Sequence, residues 1–211
     1  MNDPITSPIL PDRSQPAEPE RPLPFALETE VERRIAADPA WREGIWWGEP
    51  RPGHPEGAIA DHVADVLRNV DRRYGDSPDR NRLRLIALAH DTFKHAVDPR
   101  LPRSGDNHHA ARAAAFLARF TDDEGAILVT RTHDDAYNAW RVGSRDGKWP
   151  RAEERATRLC DALGGHLNLY LAFFACDNLT GDKQPEPYEW FRRFAASRPD
   201  AAGAMADLHI S

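Results

Sequence analysis

Five segments with helical periodicity each carry a histidine or an aspartate on their apolar face. Taken alone, each of these residues is more simply interpreted as a hydrogen-bonded core histidine or a helix cap. Burying several of them together is costly unless they share a partner. A metal ion would satisfy them at once, and histidine with carboxylate suits zinc, manganese or iron. The inward-facing residues are His62, His90, His109, His133 and Asp177.

The dipeptide His90-Asp91 adds a second signal. Adjacent helical residues diverge by about 100°, so both side chains serve one site only if one of them reaches sideways. A carboxylate has two oxygens and can therefore bridge two metal ions. Lys94 follows one turn after His90, which is a suitable place for a cation that faces a bound phosphate. Without that context, a solvated helix lysine is the better interpretation of Lys94.

Length and composition indicate one globular domain. The chain has 211 residues, with 28 Lys and Arg against 34 Asp and Glu and a net charge of −6. This balance argues against a dedicated nucleic-acid surface, although a small phosphorylated substrate needs only a local positive site. We expect no membrane span and no secretion signal. The two cysteines form neither a disulfide framework nor a cysteine zinc site, which favours a cytoplasmic protein.

The hydrophobic periodicity predicts an all-α fold. Residues 1–24 hold seven prolines and few large apolar residues, which predicts a disordered tail before a helical domain over residues 25–211. The long apolar pattern over 152–177 is either one helix or two helices that break at Gly164-Gly165. The other helices are predicted over 25–37, around 59–70, and over 80–97, 107–120, 122–140 and 190–196, with loops over 41–55, 98–106 and 142–150.

The order of the candidate residues resembles that of the HD superfamily of metal-dependent phosphohydrolases. The family pattern is a histidine, a His-Asp pair and a distant aspartate, optionally with two further histidines between them. The segments H-P-E-G-A-I-A-D-H and A-H-D-T-F-K are similar to the opening of HD domains and to their His-Asp-x-x-Lys run. Thr92-Phe93 departs from the small residue that many members have before the lysine. The resemblance covers roughly residues 45–183 and consists of His62, His90, Asp91, His109, His133 and Asp177.

This resemblance implies a compact helical domain with a site for two divalent ions, which are iron, manganese or another transition metal. It implies that Asp91 bridges the two ions and that Lys94 stabilises charge on a phosphate. His108 competes with His109 for one ligand place, and the small residues that follow His109 favour His109. The other implied ligands are His62, His90 and Asp177 at the first ion and His133 at the second.

The function that we expect is hydrolysis of a nucleotide or other small phosphate ester by a metal-activated water, with Asp91 and Lys94 as catalytic residues. His54 and Lys183 are candidates for substrate binding. The alternative for His54 is a bond to Glu56, and the alternative for Lys183 is a role in shaping its loop.

Other functions and roles stay open at this point. A mixed-valent diiron oxygenase of the same superfamily uses the same ligand types, and a non-catalytic nucleotide- or metal-binding module is a third interpretation. Asp134 either accepts the other ring N–H of a ligand histidine or is a surface charge. Aromatic residues such as Trp140 either stack on a base or belong to the core. Aromatic residues near the C-terminus leave a homodimer open.

Overall fold

Apolar helix faces that pack on one another account for the architecture. A computed structural model describes residues 21–52 and 55–198. These residues form ten α-helices and no β-strand, so the predicted all-α class is confirmed. The predicted disordered tail lies outside the described residues as far as residue 20. The helices are α1 (Glu30–Ala37), α2 (Pro39–Ile45), α3 (Ile59–Tyr74), α4 (Arg80–Ala89), α5 (His109–Leu117), α6 (Glu124–Thr132), α7 (Asp135–Asp146), α8 (Trp149–Leu163), α9 (Leu167–Asn178) and α10 (Glu186–Ala196).

The centre of the domain is α9, which is apolar on nearly every side. Tyr170, Leu171 and Phe173 are all buried, and the helix contacts α3, α4, α6, α8 and α10. A helix that is hydrophobic all round belongs in the interior. The run through α8 and α9 is long and apolar enough to cross a membrane by composition, but two thirds of its apolar window is buried inside the protein. This burial accounts for its hydropathy.

Periodicity misjudges several helix ends. The predicted helix 80–97 already ends at Ala89, and the predicted helix 122–140 divides at His133 into α6 and α7. The predicted loop 41–55 begins inside α2, and α7 extends through the start of the predicted loop 142–150. The apolar stripe continues across these ends because side chains on both sides of a turn can face the same core. The two-helix alternative for residues 152–177 is the right one, since Gly164 has φ 49° and separates α8 from α9.

A buried ion pair fixes α1 on α4. Arg84 of α4 is 2% exposed, and its Nε donates to Glu32 Oε1 at 2.7 Å. Its Nη2 donates to the backbone carbonyl of Ala26 at 3.0 Å. Glu32 is itself fully buried and completes the capping box of α1 with Thr29. Each charge is therefore desolvated and depends on the other.

Replacing Glu32 by alanine should lower the free energy of unfolding by about 3–5 kcal/mol, because it leaves the Arg84 guanidinium buried without its main partner. Glu30→Ala in the same helix is the matched control, since Glu30 pairs with Arg33 in solvent and should cost less than about 1 kcal/mol. Chemical denaturation measures both variants. Equal losses would contradict the role assigned to the buried pair.

A second ion pair fixes the start of α6. Arg82 Nε and Nη2 donate to the two carboxylate oxygens of Asp123 at 2.8 and 2.9 Å. Asp123 Oδ1 also accepts the N–H of Ala126 at 2.7 Å and thereby caps α6. Burial alone would raise the pKa of Asp123, but the Arg82 guanidinium outweighs it and holds this pKa below its usual value. The pair therefore stabilises the fold above the unfolded pKa of about 3.9 and loses this effect as the pH falls through the lower folded pKa.

Asp123→Asn isolates this ion pair, because asparagine caps a helix about as well as aspartate. The variant should lose about 1 kcal/mol of unfolding free energy near pH 7. Its difference from the wild type should shrink as the pH falls below about 4. Denaturation at several pH values measures this, with the exposed neighbour Asp122→Asn as the control. A loss that does not change with pH would rule out the ion pair as its cause.

Candidate metal centre

Five helices bring the candidate residues together because they carry them at or near their ends. His90 follows α4 directly, and Asp91 comes next. His109 opens α5, and His133 follows α6. The remaining two residues are His62 in the first turn of α3 and Asp177 in the last turn of α9.

One group of side chains surrounds the Nε2 atom of His62. This atom lies 3.2 Å from His90 Nε2 and 3.0 Å from Asp177 Oδ1. Asp91 Oδ2 lies 3.5 Å from His90 Nε2 and 3.9 Å from His62 Nε2. The ligand atoms of His62, His90 and Asp91 all lie within 4.8 Å of one another, so this buried group could hold a metal ion.

A second group lies on the other side of Asp91. Asp91 Oδ1 is 3.5 Å from His109 Nε2 and 3.4 Å from His133 Nε2, and these two nitrogens are 3.3 Å apart. This group could also hold a metal ion. Asp91 Oδ1 is buried and accepts no hydrogen bond within the described part of the chain. One carboxylate thus faces both groups, with a different oxygen toward each.

Hydrogen bonds at Nδ1 fix the tautomers of two of these histidines. His90 Nδ1 donates to the carbonyl of Ala87 at 3.0 Å, and His133 Nδ1 donates to the carbonyl of Thr130 at 2.9 Å. A carbonyl oxygen can only accept, so the proton of the neutral ring is on Nδ1. In the neutral form of each ring the Nε2 lone pair is then directed into the centre, which is the arrangement that a metal ligand needs.

Glu56 lies against the outer ring nitrogen of His62, a contact that was not predicted. Its Oε1 lies 3.0 Å from His62 Nδ1, and both side chains are buried. His62 Nε2 and His90 Nε2 lie 3.2 Å apart, and Asp177 Oδ1 lies 3.0 Å from His62 Nε2. Two imidazole nitrogens and a carboxylate oxygen that converge in this way are a donor set that divalent transition metal ions take, so the residues present fit a metal ion. The sequence signal was only that a glutamate lies in the turn before α3.

The aspartates of the centre are held in their ionised form. Burial alone would raise the pKa of Asp91, but the Lys94 ammonium holds it well below its usual range. Lys183 has the same effect on the pKa of Asp177. For His90, burial lowers the pKa to about 3, so this ring is neutral. A neutral imidazole between anionic carboxylates is a good environment for a divalent cation.

Two lysines border the centre. Lys94 Nζ contacts Asp91 Oδ2, and Lys183 Nζ donates to Asp177 Oδ1 at 2.9 Å and to the backbone carbonyl of Asp177 at 3.1 Å. Both ammonium groups lie at the edge of a cavity of about 420 Å³ that reaches the centre. The centre therefore has two cations within reach of any anion that enters this cavity.

Two cavities meet at the centre. Tyr137 and Trp140 form an aromatic part of the wall of the first cavity, with their rings 6.2 Å apart. A second cavity of about 970 Å³ has Trp47 in its wall, and both cavities are lined by Lys94 and Asp134. Tyr137 and Trp47 are 38% and 42% exposed, so neither ring is a core residue.

Three further candidates are placed as follows. His108 caps α5 by accepting the N–H of Ala110 at its Nδ1, whereas His109 Nε2 faces the centre. His54, the predicted substrate contact, lies outside the described residues.

Asp134 lies beside the Nε2 atoms of His109 and His133, so it does not accept the other ring N–H of His133. Asp134 and Asp91 outweigh the effect of burial and raise the pKa of His133 to about 9.

The hydroxyl of Tyr170 fixes the junction between α6 and α7. It donates to the carbonyl of His133 at 3.0 Å and accepts the N–H of Ala136 at 3.1 Å. These backbone groups lie at the break between the two helices, where the helical hydrogen bonds stop. The hydroxyl supplies the hydrogen-bond partners that a continuous helix would have given them. The helical spacing predicts only that Tyr170 lies on the apolar face of α9, because spacing gives no information about its hydroxyl.

Comparisons of the chain with protein-family models, with curated proteins and with solved structures found no match.

Tyr170→Phe should lower the free energy of unfolding by about 1–3 kcal/mol, because it leaves a buried carbonyl and a buried N–H unsatisfied. It should also weaken Mn²⁺ binding, since it frees the backbone of His133. Denaturation and a Mn²⁺ titration measure the two effects. Tyr188→Phe is the control, because the buried Tyr188 hydroxyl has no hydrogen-bond partner among the described residues. Equal effects of both substitutions would contradict the role of the Tyr170 hydroxyl.

Proposed function

We propose that the protein is a metal-dependent phosphohydrolase of the HD type that acts on a small phosphate ester. The observation that carries this proposal is the Asp91 carboxylate, whose two oxygens face two different histidine pairs. The order of the histidines and aspartates resembles that of the HD superfamily, which supports the same conclusion. Two neighbouring sets of imidazole and carboxylate groups suit two divalent transition ions.

The residues that would hold the first ion are His62, His90 and Asp177, and His109 and His133 would hold the second. Asp91 would bind both with its separate oxygens. When bound, two such ions lower the pKa of a shared water and neutralise the oxygens of a phosphoryl group. Asp91 keeps the two positions together because its oxygens belong to one rigid carboxylate.

Lys94 is suited to stabilise negative charge on the phosphoryl group. Its ammonium borders both cavities and contacts Asp91, and the neighbouring carboxylate outweighs burial and raises the pKa of Lys94. The side chain is therefore cationic at neutral pH. A fixed cation beside the reacting group stabilises charge that develops in the transition state. Lys183 also lines the first cavity and would support binding of an anionic substrate.

The first cavity suits an ester with a flat organic group. Its volume of about 420 Å³ is in the range of a small-molecule site. The exposed Tyr137 ring and Trp140 form an apolar wall on α7, one turn and two turns from Asp134 respectively. A nucleotide fits this combination of cationic edge and aromatic wall, since a nucleobase stacks on aromatic side chains.

Asp91→Ala should abolish hydrolysis and reduce the bound metal, because it removes the carboxylate that faces both histidine pairs. Lys94→Ala should keep the metal and reduce the rate by about 10²–10³-fold, as expected for removal of one group that stabilises the transition state. Elemental analysis and phosphate release from a panel of nucleotides and small esters measure the two properties. The protein is to be purified without chelator.

Lys148→Ala is the matched control for Lys94→Ala, because Lys148 is exposed and lies between α7 and α8. It should retain both metal and rate. Full activity of Asp91→Ala would contradict the proposal. A metal-loaded wild type that hydrolyses no ester, together with a mixed-valent diiron signal from the iron-loaded protein, would favour the oxidative alternative.

A further inference from the structure

Each histidine pair of the centre has a carboxylate of its own in addition to the shared Asp91. At the first pair, Asp177 Oδ1 lies 3.0 Å from His62 Nε2. At the second pair, Asp134 Oδ2 lies 3.3 Å from His109 Nε2, and Asp134 Oδ1 lies 3.6 Å from His133 Nε2. The family pattern contains the first of these two carboxylates and not the second.

Asp134 could be a metal ligand itself or could orient a histidine that is a ligand. The ring nitrogen that its carboxylate contacts distinguishes these two roles. A carboxylate that orients a histidine accepts the N–H of the ring nitrogen directed away from the metal. In His133 that nitrogen is Nδ1, and it donates to the carbonyl of Thr130. Asp134 instead contacts the Nε2 atoms of His133 and His109, which are the atoms directed into the centre.

The backbone position of Asp134 supports the same conclusion. Asp134 is the N-cap residue of α7, where an aspartate normally accepts an N–H of the first helical turn. Its side chain makes no such bond. The junction is held instead by the Tyr170 hydroxyl, which accepts the N–H of Ala136. The Asp134 carboxylate is thereby directed to the centre, although a hydrogen-bonding role was available in its own helix.

The second group also contains an oxygen that lacks a partner. Asp91 Oδ1 is buried, accepts no hydrogen bond within the described part of the chain, and faces His109 and His133. A buried carboxylate oxygen without a donor is costly, and a cation at this position would satisfy it. The same cation would lie beside Asp134.

We propose that Asp134 is a ligand of the second metal position, together with His109, His133 and Asp91. This inference rests on the proposed dinuclear centre and adds a ligand that the sequence pattern does not include. The two positions then have equivalent sets of two imidazole nitrogens, one oxygen of Asp91 and one terminal carboxylate. Such mixed nitrogen and oxygen sets take divalent first-row transition ions, of which Mn²⁺ is a convenient probe.

A Mn²⁺ titration of the full chain tests this assignment, with calorimetry for affinity and electron paramagnetic resonance for coupling between two ions. The wild type should bind two ions and show a coupled signal. Asp134→Asn should weaken the second ion by at least about tenfold, since even the loss of a residue behind a ligand costs 10–100-fold. The first ion should bind as in the wild type, and the coupled signal should be lost.

Two further variants make the result specific. Asp135→Asn is the matched control, because Asp135 is the exposed neighbour of Asp134 in α7, and it should bind both ions normally. Asp134→Ser removes the carboxylate but keeps a residue suited to an N-cap, and it should weaken the second ion like Asp134→Asn. This variant also serves if Asp134→Asn folds poorly, which circular dichroism would detect.

The outcomes separate this assignment from the proposed function. Two ions bound to Asp134→Asn and Asp134→Ser with wild-type affinity and coupling would overturn the assignment and leave the dinuclear centre intact. A wild type that binds two ions, loses the second in these variants and hydrolyses no ester would overturn the hydrolase proposal alone. A wild type that binds no second ion would overturn this assignment together with the dinuclear centre, and phosphate release from the ester panel would then decide the hydrolase proposal separately.

Discussion

The Asp91 carboxylate is the constraint on which the rest of the centre depends. It lies between two histidine pairs that approach it from four helices, and each of its oxygens faces one pair. A buried carboxylate needs compensating positive charge, and here Lys94 contacts one oxygen while the other lacks a hydrogen-bond donor among the described residues. His133, whose pKa the neighbouring carboxylates raise to about 9, supplies positive charge as a protonated ring, and a cation bound at its Nε2 would replace that proton. The geometry is therefore that of a site for cations.

The helices serve this centre mainly through their ends. His90, His109 and His133 all lie at a helix terminus, where the backbone can turn and a side chain can point along the helix axis rather than away from it. Helix termini also leave carbonyl groups without a helical partner. His90 and His133 each donate to a carbonyl three residues earlier, so the unsatisfied end of the helix fixes the ring that follows it.

Much of the fold and of the centre follows from residue pattern. Helical periodicity predicted the all-α class, the inward faces identified five of the six residues that lie together, and the His90-Asp91 dipeptide added the sixth. The pattern could not locate the breaks at His90 and His133, because the apolar stripe continues across them. It also could not show the function of Glu56, Tyr170 or Asp134. The role of Tyr170 depends on contacts with residues 34 and 37 positions away in sequence. The roles of Glu56 and Asp134 depend on side-chain directions that a turn or a helix break determines.

The central helix α9 connects the two halves of the centre. Asp177 in its last turn contacts His62 at the first group, and the Tyr170 hydroxyl holds the backbone of His133 at the second. The two residues are seven positions apart, which is about two helical turns, so they lie on one face of a single rigid element. Because α9 is buried and packs against five other helices, it cannot shift one group without shifting the other. The spacing of the two histidine pairs around Asp91 is therefore set by the core of the protein rather than by its loops.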